Sequence, residues 1–278
     1  MVKVMAGDKE LYIDGILKEN LDYVKPHVLK DWDMCFIFSG IEGGGKSTMC
    51  FQIAKYLAGE RFTLEHVCFG PLEFMEKIRR PDFLKPGDCL VLDESFMINS
   101  RSTMSELNRK FLAILSECRQ KQLFLLINVP NFFDLDKNLA LWRSRGLFYI
   151  YHDSFNRGFF KFFNYEKKKK LFIQGKKFFN YNVIKPDFFG RFTKEMPFDQ
   201  EEYKKAKLKA FEIREDEEIN PRQQRWVDQR NFLVKILNKR GVSYREITEE
   251  LEEYGIKLDE STLKRGVYAS EDRIGKTP

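Results

Sequence analysis

Nine residues, GIEGGGKST from Gly40 to Thr48, bring together the groups that hold phosphate. Gly40, Gly45, Lys46 and Ser47 satisfy the spacing G-x-x-x-x-G-K-S/T, and Gly43 and Gly44 add freedom to the loop. Glycines are needed there because backbone N–H groups must turn inward around an anion. The Lys46 ammonium neutralises phosphate oxygens. The Ser47 hydroxyl can ligate Mg²⁺, with Thr48 beside it in the same turn. An apolar run, MCFIFSG, precedes the loop and a helical pattern follows, so the positive end of the helix points at the anion.

A second pair of groups stands at LVLDES. Asp93 and Glu94 follow an apolar run, where Asp93 would hold Mg²⁺ and Glu94 could polarise an attacking water. A third polar group, Asn128, ends the apolar run LFLLIN just before Val129 and Pro130. The bland alternatives are a solvated strand end for the first pair and a turn residue for Asn128.

These groups must be positioned by elements. Short buried runs at 34–40, 66–70, 88–95, 123–130 and 146–151 predict strands. Helical spacing at 46–57, 72–78, 103–119 and 135–143 predicts helices between them. Such alternation predicts an α/β domain with a mostly parallel sheet flanked by helices. Residues 1–33 read as a polar lead-in with a short helix near 21–29. Beyond His152 the chain turns basic and aromatic: Lys161, Lys167, Lys168, Lys169, Lys170, Lys176 and Lys177 interleave with phenylalanines. That pattern predicts a β-rich insertion with turns near Lys167–Lys170 and Gly175, then a charged helix, for 153–211 as a whole. Lysines with aromatic faces suit nucleic acid, although for the phenylalanines the alternation favours burial on one side of a small sheet. Residues 212–224 are polar, acidic and proline-containing, and are expected to be a linker. The block 225–278 is helical, with a capping box at Ser243 and Glu246.

Loop, Asp-Glu strand and polar-ended strand, in that order, resemble the additional-strand catalytic-glutamate P-loop ATPases. Within that class the 34–152 core looks most like the FtsK–HerA group and the zonula-occludens-toxin-like ATPases of phages. The resemblance implies a P-loop NTPase sheet with strand order 5-1-4-3-2, ATP and Mg as cofactors, and homo-oligomeric rings. It also implies an arginine supplied in trans, for which Arg101, Arg119, Arg143 and Arg145 are available and Arg143 or Arg145 is favoured. Ser243 to Arg265 resembles helix-turn-helix domains. That resemblance implies DNA contact through Lys264 and Arg265, together with Ser261, Thr262 and Tyr268.

The 278 residues allow one large domain with a small one, and a net charge of +6 permits a DNA partner without demanding it. The five scattered cysteines include no CxxC pair and predict free thiols, not zinc ligands. The opening residues lack the apolar stretch of a signal peptide, no run approaches a membrane span, and a cytoplasmic setting is expected, that of the host if the chain is viral. The expectation is an ATP-hydrolysing DNA motor for packaging or translocation in a virus, phage or mobile element. The alternatives are an ATP-switched DNA-binding protein, a terminase-like packaging ATPase and a nucleotide kinase.

Overall fold

A computed structural model describes residues 2–6, 9–93, 106–154, 156–217, 221–255 and 258–274. The chain divides into two units, Met1–Ala210 and Phe211–Pro278.

The first unit is built on a seven-stranded sheet. Its strands in chain order are β3 (Met34–Gly40), β4 (Val67–Cys68), β5 (Cys89–Leu92), β6 (Phe124–Asn128), β7 (Gly146–Asp153), β8 (Asn156–Phe163) and β9 (Phe188–Arg191), after a separate hairpin of β1 (Val2–Ala6) and β2 (Lys9–Ile13). The spatial order is β4-β5-β6-β3-β7-β8-β9. The first five are parallel to their neighbours, and β8 and β9 continue the sheet antiparallel. With β3 counted first, the parallel part runs 5-1-4-3-2 from β7 to β4. Near-continuous apolar runs are what a sheet covered on both faces requires. Alternate residues of each strand enter opposite cores. Cys35, Ile37, Leu90, Leu125 and Ile127 meet helices α3 (Pro71–Arg79) and α4 (Glu106–Glu117). Phe36, Phe38, Val91 and Leu126 meet α2 (Lys46–Ala58).

Two local expectations need correction. Residues 1–33 are no loose lead-in: the β1–β2 hairpin and α1 (Gly15–Val28) place Leu11, Ile13, Leu17 and Leu21 in the α2 core. Each such leucine contributes about 2 kcal/mol by burial. The lysine run is no hairpin turn. It lies in α5 (Tyr165–Gly175), capped by the Asn164 side chain, which accepts from Lys167 N. Lys168, Leu171, Phe172 and Gly175 form its buried face, a spacing of three and four that the density of charge conceals. The Lys168 ammonium is fully buried and donates to Ala140 O at 2.6 Å, Ser144 O at 2.8 Å and Ser144 Oγ at 2.8 Å. It satisfies carbonyls left open where the helical turn Leu139–Arg143 ends.

The second unit is helical. Helix α6 (Gln200–Glu217) begins in the first unit. Its last turn and the start of α7 (Pro221–Lys239) run through the segment expected to be an irregular linker. In α7, α8 (Tyr244–Glu253) and α9 (Glu260–Ile274), Val234, Ile247, Leu263 and Val267 form one small core. The Asn231 amide donates to Gly266 O at 2.9 Å, where any side chain on Gly266 would collide with it. The Ser243–Glu246 capping box is formed. Phe232, Leu233 and Leu237 of α7 are exposed.

Burial pushes the Lys168 pKa down to about 7 from an ordinary 10.5. Between those values the unfolded chain binds the proton and the folded chain does not, so this group makes stability rise with pH from about 7 towards 10 and leaves its full cost in place below 7. Lys168→Met is expected to flatten that rise. It should also cost about 2 kcal/mol at neutral pH through orphaned carbonyls, while Lys170→Met stays within about 0.5 kcal/mol. Urea unfolding across pH measures both.

Candidate functional site

The site grows from the end of β3. Gly40 has φ +142°, and a Cβ on it would lie 1.9 Å from Ile150 O of the adjacent β7, so only glycine lets the chain leave the strand here. Gly45, at φ +97°, caps α2 without a side-chain hydrogen bond, which leaves the first N–H groups of the helix to an external acceptor. Between them Gly44 N donates to Ile41 O at 3.1 Å, closing the loop. The Lys46 ammonium reaches back over it to Gly40 O at 2.8 Å and Ile41 O at 3.1 Å.

The next groups converge on one buried carboxylate. Asp93 follows β5 and is 1% exposed. Its Oδ1 accepts from Ser47 Oγ at 2.7 Å and from Asn128 Nδ2 at 2.7 Å. Its Oδ2 accepts from Tyr203 Oη at 2.5 Å, and Lys207 Nζ lies 3.8 Å away. Asn128 reaches it because Leu92 and Ile127 are register partners of β5 and β6, while Phe38 opposite Asn128 sets the end of β6 beside the exit of β3. Gly40, Gly43, Gly44, Gly45, Lys46, Ser47 and Thr48 thus share one end of the sheet with Asp93 and Asn128. Ser47 and Asp93 offer hard oxygen donors. Such a pair suits Mg²⁺ that takes its other ligands from phosphate and water. Among the described residues no cluster of three His, Cys, Asp or Glu could cage a metal by itself. Glu94 and Arg101 lie outside the described residues.

The arginines expected to act in trans stand elsewhere. Arg145 N donates to Cys35 O at 2.7 Å, at the start of β3, and Gly146 pairs with Phe36. The loop is therefore about 16 Å away along the strands. Arg143 is committed inside its own subunit: it pairs with the buried Asp33 carboxylate, and its Nε donates to Leu115 O at 2.5 Å. The Arg143 guanidinium is thus engaged with Asp33 and with the Leu115 carbonyl of the same chain. Arg145 lies over the Trp32 ring at 5.7 Å and the Tyr165 ring at 5.4 Å.

Of the lysine run, Lys168 is unavailable to any ligand. Lys167 pairs with Asp187 at 3.0 Å, and Lys169 covers Trp142 at 4.3 Å. Lys170 alone of the four is exposed. The exposed aromatic and basic positions lie one turn on, at Lys176, Lys177, Phe178 and Phe179. In the second unit Lys264 pairs with Glu260 at 2.7 Å, and Arg265 donates to Ser261 Oγ at 3.1 Å; both are exposed.

Several residues at the site escaped sequence reasoning. Phe192 lies against Gly45, where a Cβ would meet its ring at 2.9 Å. Gln52 of α2 donates to Thr193 O at 2.9 Å and Glu195 O at 2.7 Å. Tyr203 and Lys207 come from α6. Tyr181 bridges Ser39 Oγ at 3.0 Å and Asn131 Oδ1 at 3.1 Å, next to the loop. The signal available was the helical pair Tyr203 and Lys207, four residues apart on one face of α6. The five cysteines are free and buried, and burial raises the Cys35 thiol to about 12, so none is a nucleophile here.

The strand order and the glycine loop together give the sheet and loop of a P-loop NTPase. Comparison with family models gives no match, and neither does comparison with curated proteins. Solved structures resemble the chain more loosely. The N-terminal domain of zonular occludens toxin from Neisseria meningitidis aligns over 62% of this chain and 98% of its own, at 14% identity and a TM-score of 0.39. The FIGL-1 AAA domain in complex with ADP aligns over 63% and 78%, at 15% identity and 0.34. The cytoplasmic domain of the type VII secretion ATPase EccC from Thermomonospora curvata aligns over 56% and 23%, at 14% identity and 0.31. The fold assignment rests on the topology and the loop, not on these scores.

Arg143→Ala should cost about 3 kcal/mol by leaving the Asp33 carboxylate buried and unpaired. The double variant with Asp33→Asn should recover part of that loss. A double-mutant cycle by urea unfolding checks the coupling; full stability in Arg143→Ala would show that the guanidinium is not structural.

Proposed function

We propose that the chain is an ATP-hydrolysing, DNA-associated motor, of the kind that packages or translocates DNA for a virus, phage or mobile element. One observation carries the hydrolytic part. Ser47 from the loop, Asp93 from β5 and Asn128 from β6 are joined by hydrogen bonds at the mouth of a glycine loop that also holds Lys46. The N–H groups of the loop and of the first turn of α2 receive the phosphates of ATP, and Lys46 exchanges its loop carbonyls for phosphate oxygens. Ser47 and Asp93 would hold Mg²⁺, which when bound would neutralise charge on the transferred phosphoryl group. Glu94, adjoining Asp93 in sequence, takes the proton of the attacking water. Asn128, fixed to Asp93, reports the γ-phosphate to the core of the sheet.

The DNA part rests on the exposed Lys176, Lys177, Phe178 and Phe179, which combine phosphate neutralisation with stacking faces, and on the exposed Lys264 and Arg265 of a three-helix unit read as a helix-turn-helix. Ring assembly would follow from the class the site resembles, with Arg145, at the opposite end of the sheet from its own loop, as the candidate arginine for a neighbour. A second reading, an ATP-switched DNA-binding protein with little turnover, draws support from the occupation of Asp93 by Tyr203 and Lys207.

ATP turnover with duplex DNA, with single-stranded DNA and with neither, beside Glu94→Gln, separates the readings. A motor shows turnover raised by DNA and lowered about a hundredfold or more in the variant. Turnover near background that ignores DNA would sink the motor and leave the switch.

A further inference from the structure

Asp93 has more partners than a carboxylate facing a metal site needs. Its Oδ1 is filled by Ser47 and Asn128. Its Oδ2 is held by the Tyr203 hydroxyl, while Lys207 Nζ stands 3.8 Å from that oxygen and 3.5 Å from the phenol oxygen. Tyr203 and Lys207 lie one turn apart on α6, so one helix face delivers both.

The chain ahead of α6 is built to bring it there. The Phe192 ring rests on Gly45. The Gln52 amide grips the backbone of the strap at Thr193 and Glu195. Phe198 packs on Phe51 at 5.0 Å and on Phe62 at 5.8 Å, and the Tyr203 ring lies 5.4 Å from Phe51 and 6.0 Å from Phe69. Residues 192–207 therefore run from the glycine loop, across α2, to the Asp93 carboxylate.

Resting on the nucleotide-binding reading above, we propose that Tyr203 and Lys207 are positioning residues that hold Asp93 Oδ2 until a magnesium–nucleotide complex displaces them, and that residues 198–207 form the part of the cover that must shift. The phenol fills one of the two lone pairs of Oδ2, and the ammonium stands on the side from which a hydrated divalent cation would approach that oxygen, so a cation there displaces the ammonium and, with the helix that carries both, the phenol. The ammonium and the cation repel at such a distance as well. Lys207 must leave, and Tyr203 must release Oδ2. The anchor at Gln52 belongs to α2 and does not touch Asp93, so the strap stays attached while α6 moves.

This predicts a split between two affinities. Tyr203→Phe keeps the ring in its aromatic contacts and deletes only the hydroxyl; Lys207→Met keeps the stem and deletes only the charge. Equilibrium binding of a fluorescent ADP analogue is measured in Mg²⁺ and again in EDTA. The double variant is expected to bind about tenfold tighter than the parent in Mg²⁺, the scale of one charge-assisted hydrogen bond, and within about twofold of the parent in EDTA. Phe198→Ala loosens the cover without touching Asp93 and should tighten binding in Mg²⁺ more than in EDTA. Equal affinity of parent and double variant in Mg²⁺ overturns the proposal. So does weaker Mg²⁺-dependent binding in the variant, which would make the two side chains part of the metal-holding set. A parent protein that binds no nucleotide in either buffer overturns the nucleotide-binding reading, and this proposal with it. A variant that has lost its fold is recognised by lost binding in EDTA, and Tyr203→Phe alone then decides.

Discussion

A buried carboxylate is tolerable only when donors surround it, and Asp93 imposes that condition on the whole upper end of the sheet. Its partners come from the glycine loop, from β6 and from α6. Each partner fixes an element. Ser47 sets the first turn of α2 against β5, Asn128 requires β6 to lie between β5 and β3, and Tyr203 draws α6 back over the sheet. The strand order is therefore more than an arrangement of hydrophobic runs. With β6 anywhere else the Asp93 carboxylate would lose a donor, a penalty of about 1–3 kcal/mol or more for a charged group.

The lower end of the sheet also buries charge, but in a different manner. Arg143 is paired with Asp33 and bonded to a backbone carbonyl, and Lys168 is enclosed by carbonyls at the end of a helical turn. Backbone carbonyls cannot leave. A side chain on a neighbouring helix can. Lower-end charges are locked into the fold, while at the upper end two of the Asp93 partners sit on α6, whose packing is aromatic and partly exposed. Among the described buried charges, exchange of partners is open to those side chains of α6 and not to the backbone carbonyls of the lower end.

What could be read in the amino-acid sequence follows from the same distinction between near and far. The glycine loop, the Asp93 strand and Asn128 were legible because each is a local pattern whose chemistry is complete within a few residues. The five parallel strands were legible because burial on both faces leaves continuous apolar runs. Lys168 was misread because a run of like charge suggests a solvated tip, whereas its spacing to Leu171 and Phe172 is helical. The partner of Arg143 was not legible because nothing near it in the chain shows Asp33, 110 residues earlier. Tyr203 is separated from Asp93 by the same distance in sequence. No local periodicity can reveal a pairing that exists only after the sheet has closed.

The antiparallel extension makes that long-range pairing possible. β8 and β9 add two strands beyond β7, and the pairing of Phe160 with Gly190 brings the chain back alongside the loop that Gly40 opens. Gly158, at φ +92°, admits Phe192 O where a Cβ would lie 2.5 Å away, and Phe192 N donates to Gly158 O at 2.9 Å. That contact aims the chain across α2. Without the extension, α6 would have no route to Asp93. The basic aromatic stretch therefore has a structural duty that composition does not reveal: its buried phenylalanines seat the two added strands, and those strands carry the cover to the site.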